Sequence, residues 1–327
     1  MSVLSKLVIT SVISAVMLSS TAFGQEQPER PRFQLSPEQL AREAYMKVLP
    51  DTAGTGPYPA RKLIMPGLNN HTVYLPEDLT ALGAHKLGVL LFGNGGCSGN
   101  GASSRNHLLE IASHGFIAIA PGRIYSGPGA EPRPPADIDP VTDLPKQETS
   151  YRDLLTALDW VLAENGRATS ELYQHIDADA VAVSGWSCGG VQAMKVAPDP
   201  RIKTVVMHNT GLFPDDSPFA KRMDITKAAL GKLHTPVIYL VGGPEDIAYQ
   251  NAVDDFAKID NVPVVLANLQ VGHTGTFFDI NGGRVAQVTL DWLQWQLYGN
   301  AAAGRTFTGR SCRLCLDPTW TIQRKGL

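Results

Sequence analysis

Six short stretches of the chain are predominantly apolar and lack the polar alternation of a strand with one wet face: LGVLLFG (87–93), FIAIAPG (116–122), AVAVSG (180–185), IKTVVMHN (202–209), PVIYLVGG (236–243) and VPVVLANL (262–269). A strand of that kind is stable only where both faces of its sheet are covered, which is the situation of a parallel sheet. The segments between them have helical spacing. HLLEIASHG, GGVQAMKVA, ITKAALGKL, NAVDDFAKI and RVAQVTLDWLQWQLYG read as helices, and TSYRDLLTALDWVLAE puts Leu154, Leu155, Leu158, Val161 and Leu162 on one face. Strand and helix in alternation lead to an α/β fold with right-handed crossovers and helices on both sides of the sheet. Two earlier pieces, KLIM and HTVYL, read as additional strands, and Ser36-Pro37 opens a helix with Leu40, Ala41, Ala44, Tyr45 and Val48 on one side. Residues 123–149, rich in Pro and Asp, read as a long surface loop. No composition break divides residues 37–327, which are expected to form one domain.

The first 24 residues follow a different rule. A lone early charge, Lys6, precedes the run LVITSVISAVMLSS, and Ala22-Phe23-Gly24 supplies small residues before the polar stretch QEQPERP. That is the layout of a secretory signal peptide. A membrane anchor is the alternative, but the run is short and broken by serine and threonine. The expectation is a signal peptide over 1–24, a flexible leader over 25–36, and a secreted or periplasmic protein with no stable membrane anchor after cleavage. The net charge of −3 and the lack of a Lys/Arg-rich run give no sign of a nucleic-acid or acidic-membrane partner.

In a parallel sheet, chemistry gathers at the carboxyl ends of the strands. Ser187 lies at such an end, between the strand AVAVSG and the helix GGVQAM, inside Gly185-Trp186-Ser187-Cys188-Gly189. This is G-x-S-x-G: a tight strand-to-helix turn in which small neighbours let two backbones pass closely. The turn aims the free N–H groups of a helix N-terminus at the serine, where they suit a developing oxyanion. A serine needs a base to become a nucleophile. Of eight histidines only His273, in the loop VGHTGTF, lies beyond every remaining one of these strands. His208, in VVMHNTG, is the competitor, and reads better as a pocket wall or a core histidine. The acid that orients the base is Asp246, in GGPEDIAYQ, with Glu245 in reserve; the competing use of Asp246 is as a helix cap.

The loop GNGGCSGNG (93–101) follows the strand LGVLLFG and can turn backbone N–H groups into a site without side chains in the way. It lacks the Gly-Lys-Ser/Thr of a phosphate loop and the third glycine of a dinucleotide fingerprint. The oxyanion donors are therefore assigned to the N–H groups of Cys188 and Gly96, with Gly95 as the near alternative. No metal-ligand cluster and no cofactor motif is found, so neither is expected.

Taken together in this order, GWSCGG, VGGPEDIA, VGHTGTF and FGNGGC resemble the α/β-hydrolase superfamily over roughly residues 60 to 300. The layout is similar to secreted esterases of the cutinase-like and dienelactone-hydrolase-like branches, near which polyester-degrading enzymes lie. The run FGNGGCSGNGASSRNHLLEIASHGFIAIAPG with SCRLCLDPTW resembles a group of secreted bacterial and fungal α/β-hydrolases. The resemblance implies a mostly parallel eight-stranded sheet flanked by helices and cofactor-free acyl transfer. It does not imply a substrate. The chain departs from many such esterases in the cysteine after the serine, where they carry Met, Gln or a small residue.

Four cysteines in a secreted chain favour disulfides. Cys312 and Cys315 form a Cys-x-x-Cys that pairs most simply with itself as a staple in the tail. If the hydrolase arrangement holds, Cys97 and Cys188 border the oxyanion hole from opposite walls, close enough to bridge and to hold the two donor amides in register. A small buried thiol is the alternative. Trp186, Asn209, Thr210, Gly211, Phe213, Phe277 and Phe278 are candidates to line a pocket, with Trp186, Asn209 and Phe277 foremost, although aromatic residues serve more often as core. The segment LFPDDSPFAKRMD is too short for a large lid, so an open cleft for bulky or polymeric esters is expected. Three functions remain open: hydrolysis of a small-molecule or polymeric carboxylic ester, the same machinery acting on an amide or on a carbon–carbon bond of a β-diketone, and a non-catalytic secreted binding protein on a hydrolase fold.

Overall fold

A computed structural model of the chain describes residues 41, 44, 45, 49–138 and 145–327. The signal-peptide and leader segments lie outside the described residues; of the helix expected from Ser36-Pro37, Ala41, Ala44 and Tyr45 are described, and all three are helical.

The strands are β1 (Ala60–Leu63), β2 (His71–Pro76), β3 (Leu87–Gly93), β4 (Phe116–Pro121), β5 (Ile176–Trp186), β6 (Thr204–His208), β7 (Val237–Val241), β8 (Val264–Leu269) and β9 (Trp320–Lys325). The helices that matter below are α1 (Arg105–Ser113), α2 (Tyr151–Gly166), α3 (Cys188–Val196), α4 (Pro218–Met223), α5 (Tyr249–Lys258) and α6 (Gly283–Tyr298). The strands form one sheet in the order β1-β2-β4-β3-β5-β6-β7-β8-β9. Pairing is parallel from β4 through β8 and antiparallel at both flanks, where β1 meets β2, β2 meets β4, and β8 meets β9.

The sheet has nine strands where eight were expected. The extra one is β9, built from the tail beyond the Cys312–Cys315 staple. WTIQRK carries a weak signal because it lies at the edge of the sheet: Trp320 is buried and Ile322 half-buried, while Thr321 and Gln323 between and after them are exposed and the strand closes on two charged residues.

Alternation within the apolar strands explains the two cores. Val89 and Leu91 of β3, with Ile117 and Ile119 of β4, pack against Leu154, Leu158 and Val161 of α2 and Val191 and Met194 of α3. Leu90 and Phe92, with Phe116 and Ala118, pack on the other face against Leu108 and Ile111 of α1 and Val288, Trp292 and Leu293 of α6. A sheet covered on both faces has no solvated side, so both residue parities are apolar. Among the described residues no helix is long and apolar enough to cross a membrane.

The order also selects where a site can form. The chain runs from β3 to β4 on one side and then returns to place β5 on the other side of β3. Loops leaving β3 and β5 therefore diverge, and the crevice between them is where open α/β sheets bind ligands. The loops after β6, β7 and β8 follow along the same rim.

Candidate active site

Ser187 sits at the crevice, between the last residue of β5 and the first of α3. Its backbone holds φ 54°, ψ −122°, a region that residues with a side chain seldom occupy. Three hydrogen bonds lock this turn: Ser187 N–H donates to the His208 carbonyl at 3.0 Å, and the Ser187 carbonyl accepts from Gly190 N–H at 2.9 Å and from Thr210 Oγ1 at 2.7 Å. The glycines are required by proximity. A Cβ on Gly189 would enter the Gly93 backbone, and one on Gly185 or on Gly93 would enter the Gly189 backbone. Strand β3, strand β5 and the start of α3 thus meet through three residues without side chains.

Ser187 Oγ donates to His273 Nε2 at 3.0 Å, and His273 Nδ1 donates to Asp246 Oδ1 at 2.6 Å. The carboxylate can only accept, so it fixes the imidazole tautomer and leaves Nε2 free to take the serine proton. The Asp246 side chain is fully buried, whereas that of His273 is 23% exposed. Burial alone would push the Asp246 carboxyl up. Four hydrogen bonds outweigh it: His273 Nδ1 and Ala248 N–H at Oδ1, and Asn209 Nδ2 and Gly242 N–H at Oδ2, so the group titrates below the usual aspartate value. Glu245, the reserve acid, is exposed.

The base loop is held from two sides. Trp186 Nε1 donates to the His273 carbonyl at 2.9 Å, and Asn209 Nδ2 donates to the neighbouring Gly272 carbonyl at 3.0 Å. His208 is not part of this chain of contacts. It is wholly buried, its ring packed among Phe92, His107 and Phe277, and burial drives its pKa well below the usual histidine value.

The loop after β3 is a single tight turn over Gly95–Cys97. Cys97 N–H donates to the Asn94 carbonyl and Ser98 N–H to the Gly95 carbonyl. Gly96, at φ 64°, occupies the exposed tip, with open space where a side chain would stand. Gly95 lies against the Trp186 indole, which a Cβ there would strike. Facing this turn, Cys188 opens α3, and the first N–H groups of a helix have no partner within it. Cys97 and Cys188 are joined by a disulfide with 5.3 Å between their Cα atoms, and Cys312 is joined to Cys315. The loop is further held by Glu148 and Thr149, whose N–H groups donate to the Cys97 carbonyl, and by the Glu148 carboxylate, which accepts from Gly99 N–H and Arg133.

Two of the three foremost pocket residues stand elsewhere. Phe277 is 1% exposed and packs in the core under Trp186, with rings of Phe92, His107 and His208 around it. Asn209 is also 1% exposed and turns its amide to Asp246 and Gly272, not to a cleft. Trp186 is half-buried beside His273, and Phe278 stands edge-on to it. Position after a strand end located these residues near the rim; only side-chain direction separates wall from support. Among the described residues, no group of three or more His, Cys, Asp or Glu is placed to hold a metal ion.

An ordered serine–imidazole–carboxylate chain at the N-terminus of a helix is suited to acyl transfer. Comparison with known proteins agrees at the level of class. The PET hydrolase-like family model matches residues 135–214, a stretch that spans α2, β5, the Ser187 turn, α3 and β6 and stops short of Asp246 and His273. No curated protein matches the chain.

Proposed function

We propose that this chain, an esterase-like member of the α/β-hydrolase superfamily, is a secreted serine hydrolase that cleaves carboxylic esters. The observation that carries the reading is the unbroken hydrogen-bond chain from Ser187 Oγ through His273 to Asp246.

In the first step His273 Nε2 takes the Ser187 proton as Oγ attacks the ester carbonyl carbon. The carbonyl oxygen becomes an oxyanion, held by the N–H groups of Cys188 and Gly96, with Gly95 the alternative donor. His273 passes the proton to the leaving alkoxide, which departs as an alcohol and leaves an acyl-serine. Water then enters, gives a proton to Nε2, and its oxygen bonds to the acyl carbon. Collapse returns the proton to Ser187 Oγ and releases the acid. Asp246 stays ionised throughout and steadies the imidazolium. The two disulfides and the signal-like N-terminus support a site of action outside the cytoplasm.

The test is labelling by a fluorophosphonate followed by turnover of p-nitrophenyl acetate. Labelling and turnover are expected, and Ser187→Ala should abolish labelling and lower kcat by at least about 10⁴-fold. A wild-type chain that neither labels nor turns over any ester overturns the reading. Because the family matched over residues 135–214 is described by a polyester, an aromatic polyester film is the polymer arm of the substrate series, beside short-chain esters. Amides and β-diketones complete it, and preference for either over esters would replace the ester assignment.

A further inference from the structure

We infer that Asn209 is the positioning residue of this site, the group that holds the acid loop and the base loop at a fixed separation. The inference rests on the reading of Ser187, His273 and Asp246 as a triad.

Asn209 follows β6, between the strand that leads to Ser187 and the strand that leads to Asp246. Its backbone N–H is committed to the Leu240 carbonyl of β7 at 2.8 Å. Its amide nitrogen is shared between two acceptors on different loops: Asp246 Oδ2 at 2.8 Å, after β7, and the Gly272 carbonyl at 3.0 Å, after β8. Gly272 is the residue before His273. One NH₂ group therefore spans from the acid to the base loop, and a side chain with two donors on one atom is needed to do so. Its surroundings leave little freedom. A Cβ on Gly242 would press on the Asn209 amide and the Gly272 backbone, and one on Gly275 would lie 2.9 Å from Asn209 Oδ1.

The backbone requires the same residue type. Asn209 sits at φ 45°, and asparagine is among the side-chain-bearing residues that best tolerate the left-handed region. Glycine would meet the backbone requirement without the amide. Aspartate would meet it with nearly the same shape but would face both acceptors with oxygen. These two substitutions separate conformation from hydrogen bonding.

The expected effects follow from what the amide holds. Asn209→Gly relieves the backbone while releasing both loops, and kcat should fall about 10- to 100-fold, because misplacement by about 1 Å is enough for such a loss. KM should stay within about threefold, since no substrate contact is removed. Asn209→Asp sets a second carboxyl against Asp246. The acidic limb of the kcat/KM profile should move up by about one pH unit, because added negative charge near the imidazole favours its protonated, unproductive form.

The experiment measures fluorophosphonate labelling rate, kcat, KM and the pH profile for the wild type and both variants, with thermal midpoints alongside. The inference is overturned by an Asn209→Gly variant that labels and turns over like the wild type. It is equally overturned if both variants lose stability while the Asn209→Asp pH profile stays where it was, which is the mark of a purely structural residue. Failure of the wild type itself to label removes the triad reading and this inference with it. A wild type that labels, beside variants that label at the same rate, removes the inference alone.

Discussion

Ser187 and its neighbours make a site from close backbone approach. The serine is held at φ 54° by the Thr210 and Gly190 contacts to its carbonyl, and the three glycines 93, 185 and 189 leave no room for a methyl group. Gly189→Ala is therefore expected to destabilise the fold by about 1–3 kcal/mol through backbone displacement, and to depress activity further than that loss explains. Urea unfolding beside kcat of the folded fraction checks both parts. At the acid, Asp246→Asn keeps the shape but presents an amide where His273 Nδ1–H needs an acceptor. The imidazole then favours the wrong tautomer, and kcat should fall about 10⁴-fold with little change in unfolding midpoint. An unchanged kcat would remove Asp246 from the mechanism.

The elements around the crevice are tied by covalent and ionic contacts between loops. The Cys97–Cys188 disulfide joins residues 91 apart, the loop after β3 to the start of α3, whereas Cys312–Cys315 closes a separation of 3. By loop-closure entropy the first is worth about 4–5 kcal/mol and the second about 2. Cys97→Ala/Cys188→Ala should accordingly lower stability more than Cys312→Ala/Cys315→Ala. It should also lower kcat, because the loop after β3 would no longer be tied to the helix start beside Ser187. Equal stability losses in the two double variants, or an unaltered kcat in the first, would contradict this. A second tie lies behind the site. The buried Asp255 carboxylate of α5 accepts from Leu212 N–H at 2.7 Å, Tyr239 Oη at 3.2 Å and Lys227 Nζ at 2.5 Å. It anchors the loop that begins with Asn209.

Across the whole molecule, burial makes stability depend on pH. His107 and His208 pack edge to face in the core between the sheet and α1, and among the described residues no hydrogen-bond partner meets either ring. Burial lowers His107 to about 3 and His208 well below its usual value. The unfolded chain takes up two protons near pH 6.5 that the folded chain refuses, so stability falls as pH drops below that point. Asp255 opposes this: burial raises it to about 6, so the folded chain binds one proton that the unfolded chain does not until about pH 4. From these three groups the net is one proton that the unfolded chain binds and the folded chain refuses, so stability falls with acidification between roughly pH 6 and 4. Asp255→Asn should steepen that slope and His107→Leu should flatten it, read from urea midpoints at pH 7, 6 and 5. A stability that rises on acidification over this range would contradict the assignment.

The fold class was written in the chain because hydrophobic period is a local property: strands apolar on both parities demand a sheet covered on both sides, and the six such strands are where the period puts them. The order of nucleophile, acid and base candidates was equally legible, since each lies just past a strand end and a parallel sheet brings all such ends to one rim. The ninth strand was not, because an edge strand needs only one apolar face and WTIQRK offers two apolar residues to mark it. Nor were the directions of Asn209 and Phe277. Both follow strand ends, and proximity to the rim was visible, but whether a side chain turns to the cleft, to the core or to a neighbouring loop depends on what the adjacent loops present. Asn209 finds a carboxylate and a carbonyl from two other loops, and Phe277 finds a hollow lined by Phe92, His107 and His208. Those partners are distant in sequence, so only the assembled sheet brings them within reach.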